Sequence, residues 1–142
     1  MLDDPSDRSL LAAASGLAEA LRSRYRTAMV ERGFPWHQSS AAELLVHIPP
    51  DGTSQSALTI ATGLSKQAVQ QALDGLEAHG VIRREIDPAD RRARRVVLTE
   101  LGRRDVVVHR EVVATIEAEN RSALGRRRHK RLKKALRRLL TP

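Results

Sequence analysis

The chain of 142 residues contains no cysteine. Disulfides, thiolate metal sites and cysteine-based redox sensing are therefore excluded. A chain without cysteine fits a reducing, cytoplasmic compartment. Aromatic residues are nearly absent, with one Trp, one Tyr and one Phe. Any core must be aliphatic, and there is little with which to stack single-stranded bases. No apolar run approaches the roughly 20 residues that span a bilayer. The opening Met1-Leu-Asp-Asp-Pro is acidic, unlike a secretory signal. No membrane association is expected. Glycines follow no phosphate-loop or dinucleotide pattern. The histidines (His37, His47, His79, His109 and His129) are scattered and show no metal-ligand spacing, although His37 and His47 could meet in space. Scattered histidines in a helical domain are more often structural or exposed than ligands. No metal, no cofactor and no enzymatic activity are expected.

The positive charge is abundant and uneven. The formal net charge is +8. Residues 1–82 carry 6 Lys/Arg against 9 Asp/Glu, and residues 83–104 carry 8 against 4. Residues 105–125 carry 2 against 4, and residues 126–142 carry 9 and no acid. Basicity thus sits in two patches, an electrostatic footprint for polyanions.

The hydrophobic pattern predicts a mainly helical chain with a small β-hairpin. Residues 9–32 have Leu10, Leu17, Leu21, Tyr25 and Met29 at helical spacing, with Gly33 as a stop. Ser40 and Glu43 have the form of a capping box that opens a short helix carrying Leu44, Leu45 and Ile48. Pro49-Pro-Asp-Gly52 ends it as a turn. A third helix, 54–62, has Leu58 and Ala61 facing inward. Gly63 makes a turn and Ser65 caps a fourth helix from Lys66 to about His79. Val69, Leu73 and Leu76 form its buried stripe, and Gly80 ends it. Val81-Ile82 and Val96-Val-Leu98 flank Asp87-Pro-Ala-Asp90, which reads as a two-stranded ribbon. Thr99 caps a fifth helix, 100–122, despite its β-branched Val106–Val108. Gly125 precedes a last helix, 126–140, with a stripe of Leu132, Leu136, Leu139 and Leu140.

The fourth helix presents Lys66, Gln67, Gln70 and Gln71 opposite its buried stripe, with no acid until Asp74. Gln pairs bidentately with adenine and Lys with guanine. A helix N-terminus with Ser65 accepts a phosphate. An ordinary solvated face is the plain alternative. The hairpin carries Arg83, Arg84, Arg91, Arg92, Arg94 and Arg95, more than protection of a sheet edge requires. Arg at a flexible tip suits phosphates or a narrow minor groove. Asp87 or Asp90 is expected to pair with Arg92 or Arg94 and shape the loop. The basic last helix has three readings: dimer packing through its leucines with pairing to Asp3, Asp4 and Asp7, non-specific phosphate affinity, or solubility.

The run Leu58–Ile82 resembles the helix-turn-helix of MarR-type transcriptional regulators. Asp87-Pro-Ala-Asp-Arg-Arg-Ala-Arg-Arg-Val-Val-Leu-Thr-Glu-Leu-Gly102 resembles that family's wing and its exit into the next helix. The resemblance implies a single MarR-like domain over 1–142. Its winged helix would be 38–99, and helices 9–32 and 100–140 would entwine in a homodimer. It further implies double-stranded DNA with a pseudo-palindromic operator as partner, and often a repressor relieved by a small effector. Ser65, Lys66, Gln67, Gln70, Gln71, Arg83, Arg91, Arg92, Arg94 and Arg95 would contact DNA. Tyr25, Phe34, Trp36 and His37 are the few aromatics available to line an effector cleft. The alternatives are a basic winged helix for RNA or the ribosome, and a protein–protein adaptor.

Overall fold

The computed structural model describes residues 9–141, in the order α1 (Leu10–Glu31), two 3-10 segments (Pro35–Gln38 and Ser40–His47), β1 (Thr53–Ser54), α2 (Gln55–Thr62), α3 (Lys66–Ala78), β2 (Ile82–Ile86), β3 (Arg94–Leu98), α4 (Glu100–Leu124) and α5 (Arg126–Leu140). They divide into two compact units, residues 26–110 and residues 9–25 with 111–141.

The larger unit is a winged helix. Leu44, Leu45, Leu58, Val69, Leu73 and Leu76 are each at most 1 % exposed and form its aliphatic centre. The three α3 residues are the expected stripe. Ala61, expected to face inward, is exposed, because Leu58 alone directs the eight-residue α2 into the core. The Ser54 hydroxyl accepts from the Ala57 N–H at 3.0 Å, and the Ser65 hydroxyl accepts from the Ala68 N–H at 3.1 Å. Both helices are thus N-capped. Gly63, at φ 68°, makes the left-handed turn between them, a conformation that costs glycine little.

The expected capping box at Ser40 does not form. Ser39 occupies the cap with its hydroxyl donating back to the Trp36 carbonyl at 3.2 Å rather than capping, and Ser40–His47 is a 3-10 helix rather than an α-helix. Its carbonyls bond three residues on, as Leu45 O does to the Ile48 N–H at 3.2 Å. The ribbon is also larger than expected, a three-stranded antiparallel sheet in the order β1-β3-β2. Thr53 opposes Val96, and Glu85 opposes Arg95. Gly52, at φ 86°, admits β1 to this edge, for a Cβ there would lie 2.6 Å from Val97 Cγ1 and 2.8 Å from the Val96 carbonyl.

At the far end of β3, Thr99 accepts from the Gly102 N–H at 3.2 Å and donates to the Gly80 or Val81 carbonyl, at 2.7 and 2.9 Å. This starts α4 against the end of α3. Val106–Val108 are helical, so the pattern of charged flanks outweighs β-branching there.

The smaller unit contains the start of α1, the end of α4 and α5. Arg24 pairs with Glu119 and donates to Asn120 Oδ1 at 3.0 Å. Lys133 pairs with Glu117, and His129 lies 3.4 Å from the same carboxylate. No residue of α5 is buried. Leu11, Leu139 and Leu140 are 77, 67 and 82 % exposed. Asp3, Asp4 and Asp7 lie outside the described residues, as does any pairing of theirs.

Candidate nucleic-acid interface

The outer face of α3 is open. Ser65, Lys66, Gln67, Gln70 and Gln71 are all exposed, while Val69 and Leu73 anchor the opposite side. Gln70 is not loose on that face. Its Nε2 donates to Asp74 Oδ1 at 2.9 Å, one turn further on. That hydrogen bond settles which end of the amide points along the helix. The carbonyl oxygen and the second N–H remain for a ligand.

Asp74 in turn accepts from Arg84 Nη2 at 2.7 Å. Arg84 sits on β2, with its side chain 17 % exposed. Its Nη1 reaches Glu77 Oε2 at 2.6 Å, and its backbone N–H donates to Glu77 Oε1 at 3.0 Å. A continuous chain of charge-assisted hydrogen bonds therefore runs from Gln70 to the first strand of the hairpin. Sequence reasoning named Arg84 only as one hairpin arginine. The signal was present in Glu77 and Arg84, opposite charges on either side of the Gly80 turn.

The remaining hairpin arginines fall into two groups. Arg95 gives both Nε (2.8 Å) and Nη2 (2.6 Å) to Glu85 Oε1, directly across the β2–β3 ladder. Arg83 approaches the other oxygen of Glu85 at 3.2 Å. Hydrogen bonding from Arg95, helped by Arg83, holds the Glu85 carboxyl below the usual glutamate range. By contrast, Arg91, Arg92 and Arg94 are exposed at the tip and make no ion pair among the described residues.

Asp87 and Asp90 bend the tip through the backbone rather than through arginine side chains. Asp87 Oδ1 accepts from the Ala89 N–H at 2.8 Å, and Asp90 Oδ1 accepts from the Arg92 N–H at 2.9 Å. These are Asx turns. The Asp87 N–H to Ala93 carbonyl bond, 3.0 Å, closes the loop. The Asp90 carboxylate therefore holds the main chain of Arg92 and leaves its guanidinium outward.

The aromatic residues lie elsewhere. Phe34 and Trp36 pack edge to face, with centroids 5.5 Å apart, and both are buried. The Trp36 indole N–H donates to Asp105 Oδ2 at 2.6 Å, and His37 Nε2 lies 2.8 Å from the same oxygen. Asp105 is 1 % exposed. One edge of Trp36 lines a groove of about 240 Å³ with Pro35, Ala41, Gly75 and His79, whereas Phe34 and His37 do not reach it. Tyr25, half-buried on α1, belongs to the smaller unit. Among the described residues, no three His, Asp or Glu side chains gather where they could hold a metal ion. No described helix is long and apolar enough to cross a membrane.

Residues 32–93, from the end of α1 to the wing tip, match the MarR family. This segment is a MarR-type winged helix, and its relatives support a DNA-binding transcriptional regulator. The transcriptional repressor CouR bound to a 23-mer DNA duplex is 25 % identical, over 93 % of this chain and 92 % of that one, with a TM-score of 0.72. CouR from Rhodococcus jostii RHA1 bound to p-coumaroyl-CoA is 22 % identical over 96 and 94 %, with the same TM-score of 0.72. The S. aureus MepR–DNA complex is 17 % identical over 95 and 98 %, with a TM-score of 0.77. The three-stranded sheet and helix order are therefore those of a MarR fold. Its relatives and family are regulators rather than enzymes.

Proposed function

We propose that this MarR-type regulator is a homodimeric, sequence-specific repressor that binds double-stranded DNA at a pseudo-palindromic operator. One observation carries the reading. Arg84 and Arg95 are engaged by protein carboxylates, whereas Arg91, Arg92 and Arg94 stand exposed around the wing tip and make no ion pair among the described residues. Three cations crowded at a tip repel one another, and phosphates relieve that repulsion. Ser65 and Lys66 at the start of α3 hold a phosphate, and Gln67, Gln70 and Gln71 read base edges in the major groove. Arg83 adds a phosphate contact from β2, and Arg95 supports the wing from within. The exposed Leu11, Leu139 and Leu140 of the smaller unit support dimer formation, because large apolar side chains gain by being covered.

Effector control belongs to the same reading. CouR has been seen with p-coumaroyl-CoA. In this chain the groove beside Trp36 is the place where a small ligand meets an aromatic edge, and it is lined by Gly75 and Leu76 of α3 itself. Phe34 and His37 brace Trp36 from the buried side.

The test is selection of bound duplexes from a random pool, together with the protein's mass in solution. A two-fold symmetric motif and a dimeric mass support the proposal. Sequence-indifferent capture or a monomeric mass at binding concentrations would overturn it.

A further inference from the structure

We propose that α5 carries a second phosphate-binding surface for duplex DNA, distinct from the winged helix. The proposal rests on the reading that duplex DNA is this regulator's ligand. At 3.6 residues per turn, Arg127, Lys130, Arg131, Lys134 and Arg138 fall within an arc of about 100° on α5. All five are exposed, and none makes an ion pair among the described residues. Glu117 and Glu119, on the stretch of α4 in the same unit, are already taken by Lys133 and Arg24. Residues 126–142 contain no acid to neutralise the arc.

The two sides of the helix have different uses. Leu132, Leu136 and Leu139 lie opposite the arc, so a partner that covers the leucines leaves the cations facing outward. A solubilising face would mix charges, as interspersed signs serve solubility without a strong one-sign field. This arc has one sign only. The helix also has no Trp, Tyr or Phe, the aromatic anchors common on interfacial helices, and the vesicle arm of the test below separates duplex from lipid phosphate. Its 15 residues span about 22 Å. Over that length a duplex displays roughly 13 phosphate charges, enough to engage every cation of the arc. Guanidinium groups bind phosphate bidentately, and three of the five are arginine.

The experiment compares four full-length proteins on random-sequence duplex across a potassium chloride series. They are the wild type, an arc variant (Arg127, Lys130, Arg131, Lys134 and Arg138 all →Gln), a wing variant (Arg91, Arg92 and Arg94 all →Ala) and the combination. Glutamine is nearly as good a helix former as Lys or Arg, so helicity and solution mass serve as controls. Should five replacements disturb α5, Lys134→Gln with Arg138→Gln carries the same comparison. Each lost phosphate contact removes about 0.9 from the slope of log K against log salt. The expected result is an arc variant whose slope is shallower by about 2–4, a wing variant that keeps salt-sensitive binding, and a combination that loses it. Arg127→Lys, Arg131→Lys and Arg138→Lys together, which keep every charge of the arc, should keep most of the wild-type slope. A wild-type slope in the arc variant would overturn the proposal. So would a wing variant that binds anionic phosphatidylserine vesicles and no longer binds duplex. The winged-helix reading fails separately, if the wing variant keeps both operator selectivity and its full slope.

Discussion

Arg84 and Glu77 are joined twice, by the guanidinium at 2.6 Å and by the backbone N–H of Arg84 at 3.0 Å, so that one glutamate ties α3 to β2. The same guanidinium holds Asp74, and Asp74 holds the Gln70 amide. Gln70 is thereby pre-oriented, which on the proposed reading reduces the ordering cost of pairing with a base. Arg84→Ala should lower the ratio of operator to random-duplex affinity by about 10-fold, the scale of one mispositioned base contact. Non-specific affinity should change far less, because Arg84 faces protein. Stability should fall by about 1–2 kcal/mol, the range for hydrogen bonds to charged groups discounted for partial exposure. Competition binding with operator and random duplexes checks this. An equal loss on both would show that Arg84 contacts phosphate instead.

The arginines of the hairpin should separate by phenotype. Arg91, Arg92 and Arg94 replaced together by Ala should leave the melting temperature nearly unchanged and lower affinity on all sequences. The salt slope should become shallower by up to about 2.7, three contacts at about 0.9 each. Arg95→Ala should act through the fold, because it removes the cross-strand partner of Glu85. Glu85 also adds a pH dependence. Its carboxyl is held below the ordinary value near 4.5 by Arg95, so the pair's contribution is present above that value and is lost as pH falls through the lowered one. A carboxyl-carbon NMR titration of Glu85 should show the depressed midpoint in the wild type and its return upward in Arg95→Ala.

The winged helix was legible in the sequence to the extent that local signals were strong. Gly63, Ser65 and the Val69, Leu73 and Leu76 spacing specify α2, the turn and α3 through bonds that span at most four residues. The residue run Asp87–Gly102 marked the wing through its resemblance to the family's wing, with Asp87 and Asp90 turning the tip through bonds only two residues long. What escaped was non-local. The strand Thr53–Ser54 has two residues and no alternation to read, and it exists because Val96 and Arg95 lie beside it. The Ser40 capping box failed because Ser40–His47 is a 3-10 helix capped at Ser39, which the local spacing does not distinguish from an α-helix. Among site residues, the types and positions on α3 could be read, but the division of the arginines could not. Whether an arginine faces phosphate or carboxylate depends on strand register, and the Glu85–Arg95 pairing follows from a loop whose length no periodicity reports.

Asp105 should be the most sensitive buried polar position of the larger unit. It accepts from Trp36 and meets His37 on a single oxygen, at 1 % exposure. Asp105→Ala leaves both groups without that partner in a site closed to water, at a cost of about 3–5 kcal/mol. The expected readouts are a large fall in melting temperature and a changed Trp36 emission, the chain having a single tryptophan. His109 supplies the pH arm. Burial lowers its pKa from the ordinary value near 6.5, although Asp105 pulls the other way. The unfolded chain therefore protonates first, and this contribution to stability is present above about 6.5 and shrinks as pH falls below it. His109→Gln should flatten the melting-temperature profile below about pH 6.5. An unchanged profile would remove His109 as its source.

Gly102 should tolerate no side chain, for a reason unrelated to its backbone angles. A Cβ at this position would lie 2.2 Å from the Val81 carbonyl oxygen and 3.1 Å from Leu98 Cδ2. The carbonyl cannot retreat easily, because the Thr99 N–H donates to it at 3.0 Å and the Thr99 hydroxyl lies 2.9 Å away. In an open helical position Gly→Ala would stabilise by up to about 1 kcal/mol. Here the propensity gain is smaller than the cost of parting α4 from the start of β2, an overpacking penalty of about 1–3 kcal/mol or more. Gly102→Ala should therefore lower the melting temperature, while Gly75→Ala, on α3 with nothing within 4 Å of the added carbon, should raise it slightly. The two substitutions make the same chemical change on helices of the same unit, so opposite shifts isolate the contact with Val81. If Gly102→Ala also stabilises, the close approach of α4 to the wing strand is not what fixes this corner of the fold.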